Sequence, residues 1–177
     1  MVVSQAKYPV APILIPLYPS FQQDMNVTVW GDEVTAWYTS VSIDDWFSQI
    51  LNRRVHLVYM PDPSHRQIDL KYAEQGQGVS FADGYPVLIA GEETLKDLNQ
   101  RLDQPVPMNR FRPNLVFEGG TTGIEDTFRQ IQIGEVNLLG TKPCARCQVI
   151  TIDQQTGTKG KEPLKTLSTY RRNEQKV

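Results

Sequence analysis

The alternation of apolar and polar residues predicts short strands along most of the chain. The stretch "NVTVWGDEVTAWY" at 26–38 contains two β-rich runs around Gly31 and Asp32, which indicates a hairpin turn. Further runs with strand character lie at 54–60, 85–90, 115–119, 128–134, 135–140 and 146–153. Helical spacing occurs at 42–53, 92–102 and 162–172. The strands outnumber the helices and do not alternate regularly with them, which favours a mainly antiparallel α+β or barrel fold over a parallel doubly wound sheet.

The predicted helices have recognisable ends and faces. Ser42 is the expected N-cap of the first helix, and Asp44 lies in its first turn. The second helix places Leu95, Leu98 and Leu102 on one face. The connection at 61–69 is polar and is predicted to be a loop.

The amino-terminal segment is apolar but rich in proline. Four prolines interrupt "YPVAPILIPLYP" at 8–19, so this stretch cannot form a membrane-spanning helix or the apolar core of a signal peptide. We therefore predict an extended segment over 1–26, and no membrane span in this chain.

Composition and charge narrow the class of protein. A chain of 177 residues with 40% hydrophobic content is one ordinary globular domain, or one domain and a small part. A net charge of −2 argues against the broad basic surface of a nucleic-acid-binding protein, but it is compatible with a small basic pocket for a phosphate. Two cysteines do not make a disulfide scaffold and fit a reducing compartment, so a cytoplasmic location is expected.

Both cysteines lie in "KPCARCQVITID" at 142–153, and the spacing allows four interpretations. A redox disulfide is disfavoured because the β-branched residues that follow Cys147 begin a helix poorly. A zinc site would need His56 and His65, the only histidines, at a spacing outside the usual finger pattern. Two buried thiols without a chemical role are a common arrangement.

The fourth interpretation is a single reactive thiolate that binds a soft or high-valent metal. Arg146 is adjacent to Cys147 and Lys142 is near Cys144, and nearby cations favour a thiolate. We predict that the segment 146–153 is a strand, which would hold the thiol on a rigid element.

Two other stretches carry candidate binding residues. In "MNRFRPNLVFEG" at 108–119, Arg112 precedes a proline and is expected to project from extended backbone. Together with Asn114 it suits an anion or a heteroaromatic ring, although a solvated loop would look similar. In "FADGYP" at 81–86, Asp83 and Gly84 form either a plain turn or a carboxylate at the rim of a pocket.

Taken in order, these motifs resemble a MOSC domain. The signal is F-R-P-N, then C-x-R-C followed by "TIDQQTG" at 151–157, then "EPLKTL" at 162–167. The resemblance is closest to the branch that contains the mitochondrial amidoxime-reducing component and its bacterial relatives. It covers 27–172 and leaves 173–177 as a polar tail. It implies an α+β fold that is mainly an antiparallel β-barrel of MOSC type with a few short helices.

The resemblance implies a site for the molybdenum cofactor, a molybdenum–molybdopterin complex. Cys147 falls on the family's metal ligand, whereas Cys144 does not. The other implied cofactor-binding residues are Asp83, Gly84, Arg112, Asn114, Ala145 and Arg146. Ala145 would line the pocket with backbone only.

The implied activity is a two-electron reduction of small N-hydroxylated substrates. The electrons would come from an external protein of the ferredoxin, flavodoxin or cytochrome b5 type. An alternative is a cofactor or sulfur-carrier module like the C-terminal domain of molybdenum cofactor sulfurases. A third is a non-catalytic fragment, because relatives carry a preceding subdomain with basic residues for the cofactor phosphate and further strands after the last helix. We therefore expect the domain to be truncated at both ends.

Overall fold

A computed structural model describes residues 1–5, 9–20 and 22–171 of the chain. The chain divides into two compact units, Met1–Pro86 and Val87–Val177. The bounds predicted from the sequence, 1–26, 27–172 and 173–177, stay a prediction. The tail at 173–177 and the last residue of the third predicted helix lie outside the described residues.

The first unit is organised around an antiparallel hairpin. Strand β1 (Val2–Val3) pairs with β2 (Ile13–Leu14), and β3 (Asp24–Val29) pairs with β4 (Asp32–Tyr38), which also pairs with β5 (Val58–Tyr59). Helix α1 follows β4 at Val41–Leu51. Val34, Ala36 and Ile43 are buried in this unit.

The hairpin turn lies one residue earlier than the sequence suggested. Val29 pairs with Asp32, so the two loop residues are Trp30 and Gly31, with φ angles of 55° and 102°. Positive φ at both loop positions is typical of the type I′ turn, whose twist matches that of the strands. The predicted hairpin is confirmed, with Asp32 as the first residue of β4.

Helix α1 also begins earlier than predicted. Ser40, not Ser42, is the N-cap, because its hydroxyl oxygen accepts a hydrogen bond from the Ile43 N–H at 3.2 Å. The strand predicted at 54–60 is formed only by Val58–Tyr59. His56 precedes this strand, and its side chain pairs with Asp44 of α1. The chain at His56 is therefore tied to the helix and does not extend the strand.

The second unit contains the two cysteines. Strand β6 (Ile89–Gly91) pairs in parallel with β7 (Leu115–Phe117), and β8 (Gln130–Ile133) pairs with β9 (Val136–Leu139). Helices α2 (Glu92–Gln100) and α3 (Leu164–Tyr170) contribute to its core. Three 3₁₀ helices, η1 to η3, cover Met108–Phe111, Ile124–Thr127 and Gln148–Thr151.

The strand predicted at 146–153 is wrong. Gln148–Thr151 is the 3₁₀ helix η3, and only Ile152 forms an isolated bridge, with Lys159. Two contacts explain the turn: the Thr151 hydroxyl donates to the Gln148 carbonyl at 2.8 Å, and the Ile150 side chain is buried. Tertiary burial of one side chain therefore overrides the β propensity of the run.

The fold is mixed α/β, with sheets that are antiparallel except for the β6–β7 pair. Within 1–5, 9–20 and 22–171 the sheets have two or three strands and none closes on itself, so the MOSC-type barrel stays a prediction. The predicted strand at 85–90 is reduced to Ile89–Gly91. Across the same residues, every helix is too short or too polar to traverse a bilayer.

Candidate cofactor site

The segment that carries the cysteines is irregular but firmly anchored. Cys144 and Cys147 are free and exposed, and Cys147 is the residue immediately before η3. Three residues after Cys147, Ile150 is buried in η3 against Leu98 of α2 and Leu167 of α3. The exposed thiol of Cys147 is therefore attached to a short helix that the hydrophobic core holds in place.

Helix η1 packs against η3, and this packing brings the F-R-P-N and C-x-R-C motifs together. The Arg146 Nη1 donates to the Phe111 carbonyl at 3.3 Å, and its guanidinium carbon lies 5.4 Å from the centre of the Phe111 ring. A guanidinium over an aromatic face adds a cation–π attraction. Arg146, which directly precedes Cys147, is thus bound to Phe111, which directly precedes Arg112.

A second arginine makes the reverse connection. The Arg110 Nη2 donates to the Asp153 Oδ2 at 2.9 Å, and its Nη1 donates to the Ile150 carbonyl at 3.4 Å. Its Nε is buried and has no hydrogen-bond partner among the described residues. Two arginines therefore join the two motifs. Arg110 reaches from η1 to η3 and Asp153, and Arg146 reaches from the cysteine segment to η1.

Asp153 joins this region to Arg110, although the sequence did not single it out as a candidate site residue. Its Oδ1 accepts from the Thr156 N–H, the Thr156 hydroxyl and the Gln155 N–H. These bonds, first among them the Thr156 N–H, and the nearby Arg110 hold the pKa of the Asp153 carboxyl below its usual range. The "DQQTG" turn, in which an Asp caps its own following backbone, was the signal that could have identified it.

Arg112 does not have the extended backbone that its position before a proline suggested. It ends η1 in the left-handed region, with φ of 52° and ψ of 45°, because its N–H must reach back to the Asn109 carbonyl. This conformation is strained for a residue with a side chain. The side chain is exposed, and no described side chain bonds its guanidinium, so its donors are available to a ligand.

Asn114 has a defined structural role. Its Oδ1 accepts from the Leu88 N–H at 2.9 Å, and its own N–H donates to the Leu88 carbonyl at 2.8 Å. These reciprocal bonds fix the start of β7 beside the chain that leads into β6. The amide oxygen of Asn114 is therefore occupied by a bond within the protein, and its NH₂ group is the part of the side chain that a ligand could contact.

Asp83 and Gly84 lie in the first unit, whereas the other predicted site residues lie in the second. The Trp30 Nε1 donates to the Asp83 Oδ1 at 3.3 Å. The buried Arg66 donates to the carbonyls of Ser80, Ala82 and Asp83 and to the Asp32 carboxylate. The conformation of the Asp83 loop is therefore set by an arginine from the stretch that was predicted to be a polar loop.

The histidines do not complete a metal site. His56 Nδ1 lies 2.5 Å from the Asp44 Oδ2, and the Asp44 Oδ1 accepts from the Leu57 N–H at 2.9 Å. Burial acts to raise the pKa of Asp44, but the hydrogen bonds from Leu57, His56 and Tyr38 outweigh it and lower that pKa. Nowhere in the described part of the chain do three His, Cys, Asp or Glu side chains converge on a metal-sized site.

Comparison with known proteins decides the family. Residues 76–177 match the sequence profile of the MOSC domain. This chain belongs to the MOSC domain family. The resemblance inferred from its motifs is thereby confirmed for most of the chain.

Named relatives of two kinds are similar to this chain. "Mitochondrial amidoxime-reducing component 1" of Mus musculus is 34% identical over 166 residues, which are 90% of this chain and 48% of that protein. "Molybdenum cofactor sulfurase" of Oryza sativa subsp. japonica is 32% identical over 169 residues, 86% of this chain and 20% of that protein. This MOSC chain spans about half the length of the amidoxime-reducing relatives that it matches.

The donors of the second unit fit a metal that arrives inside an organic cofactor. The exposed Cys147 offers one soft thiolate ligand, and Arg112 offers a planar set of N–H donors for an anion or a ring edge. One sulfur ligand together with one planar set of donors suits a metal that carries most of its own ligands.

Proposed function

We propose that this MOSC chain binds the molybdenum cofactor through Cys147 and acts in the reduction of N-hydroxylated small molecules. The observation that supports the proposal most directly is the packing of η1 on η3, which brings Arg112 and Cys147 to the same region of the second unit. Both residues are exposed there, and neither is needed to pair another described side chain.

Cys147 is proposed as the single protein ligand of the metal. Thiolates are preferred by soft and high-valent metals, and an exposed thiol is open to a cofactor from outside. The anchoring of η3 by Ile150 fixes the position from which the thiol reaches the metal. Arg146 acts on this residue indirectly, because its bond to the Phe111 carbonyl orients the chain just before Cys147.

Arg112 and Asn114 are proposed to contact the pterin. The guanidinium of Arg112 would donate to the ring edge or to an anionic oxygen, and the amide NH₂ of Asn114 would add one further donor. The left-handed backbone of Arg112 directs this side chain away from the path of an extended strand. Ala145, Asp83 and Gly84 stay predicted members of the site, the first through backbone atoms.

When bound, the cofactor would supply a molybdenum centre capable of oxygen-atom transfer. For an amidoxime, the overall change consumes two electrons and two protons, breaks the N–O bond and releases an amidine and water. These two electrons have to reach the cofactor from a donor in each reaction cycle. We therefore propose an external electron-transfer protein of the ferredoxin, flavodoxin or cytochrome b5 type, in the reducing cytoplasm that two free thiols fit.

The test is the molybdenum and pterin content of the 177-residue chain purified from a host that makes the cofactor. Cys147→Ala should lose both, whereas Cys144→Ala, the matched variant at the other exposed thiol, should keep both. Near-stoichiometric metal in the parent would then justify an assay of amidoxime reduction with a chemical electron donor. Retention of metal by Cys147→Ala, or no metal in the parent chain, would refute the proposed site.

The similarity to the sulfurase supports a second candidate function. In this alternative Cys147 carries the cofactor or a sulfur atom and passes it on without turnover, which an exposed thiol on a short helix also permits. A chain that binds stoichiometric pterin and molybdenum but never reduces an amidoxime would favour this function over the first.

A further inference from the structure

A basic cleft lies beside the cysteine segment. It is open to solvent, has a volume of ≈ 660 Å³ and falls within the size range of small-molecule sites. It is lined by Ala145, Arg146, Gln148, Thr151, Lys159, Gly160, Lys161, Leu164, Lys165 and Ser168. All of these residues belong to the second unit.

The charge of this cleft is of one sign. Three lysines and one arginine line it, and none of its described lining residues is Asp or Glu. The chain as a whole has a net charge of −2, so the positive charge is a local concentration rather than a general property of the surface. Lysines 161 and 165 form no ion pair with any residue that the structure describes.

Two contacts place this charge beside the two neighbours of Cys147, which does not itself line the cleft. The Lys159 Nζ donates to the Gln148 Oε1 at 2.6 Å, and Gln148 directly follows Cys147. Arg146 directly precedes Cys147, and its partner at 3.3 Å is the neutral Phe111 carbonyl, so its charge is not neutralised. The cleft therefore includes the residues on both sides of the proposed metal ligand.

We propose that the cleft formed by Lys159, Lys161 and Lys165 binds an anionic group, phosphate or carboxylate, of a small molecule held at Cys147. Ammonium groups act as point charges for phosphate and carboxylate oxygens. Ala145 and Leu164 offer apolar surface for the uncharged part of the same molecule. The lining residues of the cleft are the support for the anion site, whereas the identity of the molecule rests on the proposed function.

The anion site is tested first without cofactor or substrate. Inorganic pyrophosphate is titrated into the ¹⁵N-labelled 177-residue chain at low ionic strength, and the amide shifts of Gly160, Thr151 and Ser168 are followed. The triple variant Lys159→Gln/Lys161→Gln/Lys165→Gln should raise the Kd at least about tenfold, and added salt should weaken binding to the parent. Lys71→Gln is the matched control, because Lys71 is exposed, lies outside the cleft and contacts the Tyr72 ring.

Equal pyrophosphate affinity in the parent and the triple variant would overturn the proposal. So would shifts that are spread over the chain instead of confined to the cleft. The single variants serve if the triple variant loses its fold by circular dichroism, and each should raise the Kd by about two- to threefold. These outcomes do not depend on molybdenum, so a failure of the anion site is distinct from a failure of the proposed function.

Two further measurements separate the sources of the anion. If the cofactor phosphate occupies the cleft, the triple variant purifies with less molybdenum and less pterin, and pyrophosphate no longer binds to the loaded parent chain. If a substrate group occupies it, cofactor content is unchanged, and the variant raises KM for 4-carboxybenzamidoxime but not for neutral benzamidoxime. Pyrophosphate binding with neither effect would mean an adventitious anion site only, and the assignment to a molecule at Cys147 would be overturned.

Discussion

The burial of Ile150 predicts how strongly the cysteine segment depends on the core. Ile150 is 4% exposed and packs with Leu98 and Leu167, whereas its neighbour Val149 in the same 3₁₀ helix is 38% exposed. Ile150→Ala removes three buried carbon atoms, which at ~0.8 kcal/mol each amounts to about 2.4 kcal/mol. The cavity left behind brings the expected loss in the free energy of unfolding to about 3 kcal/mol.

Val149→Ala is the matched control, since it truncates an adjacent β-branched residue that faces solvent. We expect it to cost less than about 1 kcal/mol. With an m value of roughly 2 kcal/mol/M, Ile150→Ala should lower the urea midpoint by roughly 1.5 M. It should also lower molybdenum content if the proposed function holds, because Cys147 directly precedes η3.

The assay must report on the second unit. All three tryptophans, Trp30, Trp37 and Trp46, lie in the first unit, so fluorescence follows that unit. Unfolding of the second unit is better followed by far-UV circular dichroism and by hydrogen exchange in peptides that cover 144–171. If Ile150→Ala costs no more than Val149→Ala, the core does not anchor η3 and the reasoning is refuted.

Three further predictions concern backbone strain and charge. Arg112→Gly relieves a left-handed φ. Urea unfolding should therefore show a stability that is unchanged or raised by up to about 1 kcal/mol, while the cofactor content falls. A clear loss of stability would contradict the assigned strain. Gly31→Ala, at φ of 102°, should lower the free energy of unfolding by about 1 kcal/mol when unfolding is followed by tryptophan fluorescence. Gly84→Ala, at an ordinary φ with open space around it, should lower it by less than about 0.5 kcal/mol. Equal losses would contradict the assigned turn. The pKa of Asp44 is lowered in the folded state, so its carboxylate stabilises the fold above the ordinary value of about 3.9, and this stability is lost as the pH falls through the folded pKa. The difference in urea midpoint between the parent and Asp44→Asn should therefore be largest near neutral pH and shrink below about pH 4, and a difference that does not depend on pH would contradict it.

Local elements were predictable because their signals lie within a few residues. The hairpin of β3 and β4 follows from alternating β-branched residues on both sides of a glycine, and α2 follows from leucines at helical spacing. The membership of the MOSC family was likewise readable from the order and spacing of short motifs. The errors at these elements were shifts of one or two residues, such as Ser40 in place of Ser42 as N-cap.

The arginines show the limit of this reasoning. Arg66, Arg110 and Arg146 look alike in the sequence, but one is buried beneath the Asp83 loop and two connect η1 to η3. Each bonds a partner at least 14 residues away, and the longest of these separations is 43 residues. The residues adjacent to an arginine do not indicate which distant carbonyl or carboxylate its guanidinium will bond.

The sequence by itself determined the family, the strong local elements and the short list of residues that includes Cys147 and Arg112. Only the tertiary structure decided that "QVIT" is a 3₁₀ helix rather than a strand, and that Arg112 is left-handed. It also decided that three lysines share a cleft beside the cysteine segment. The physical reason is that propensity and periodicity depend on adjacent residues, whereas the burial of Ile150 and the convergence of charges depend on contacts between segments that are distant along the chain.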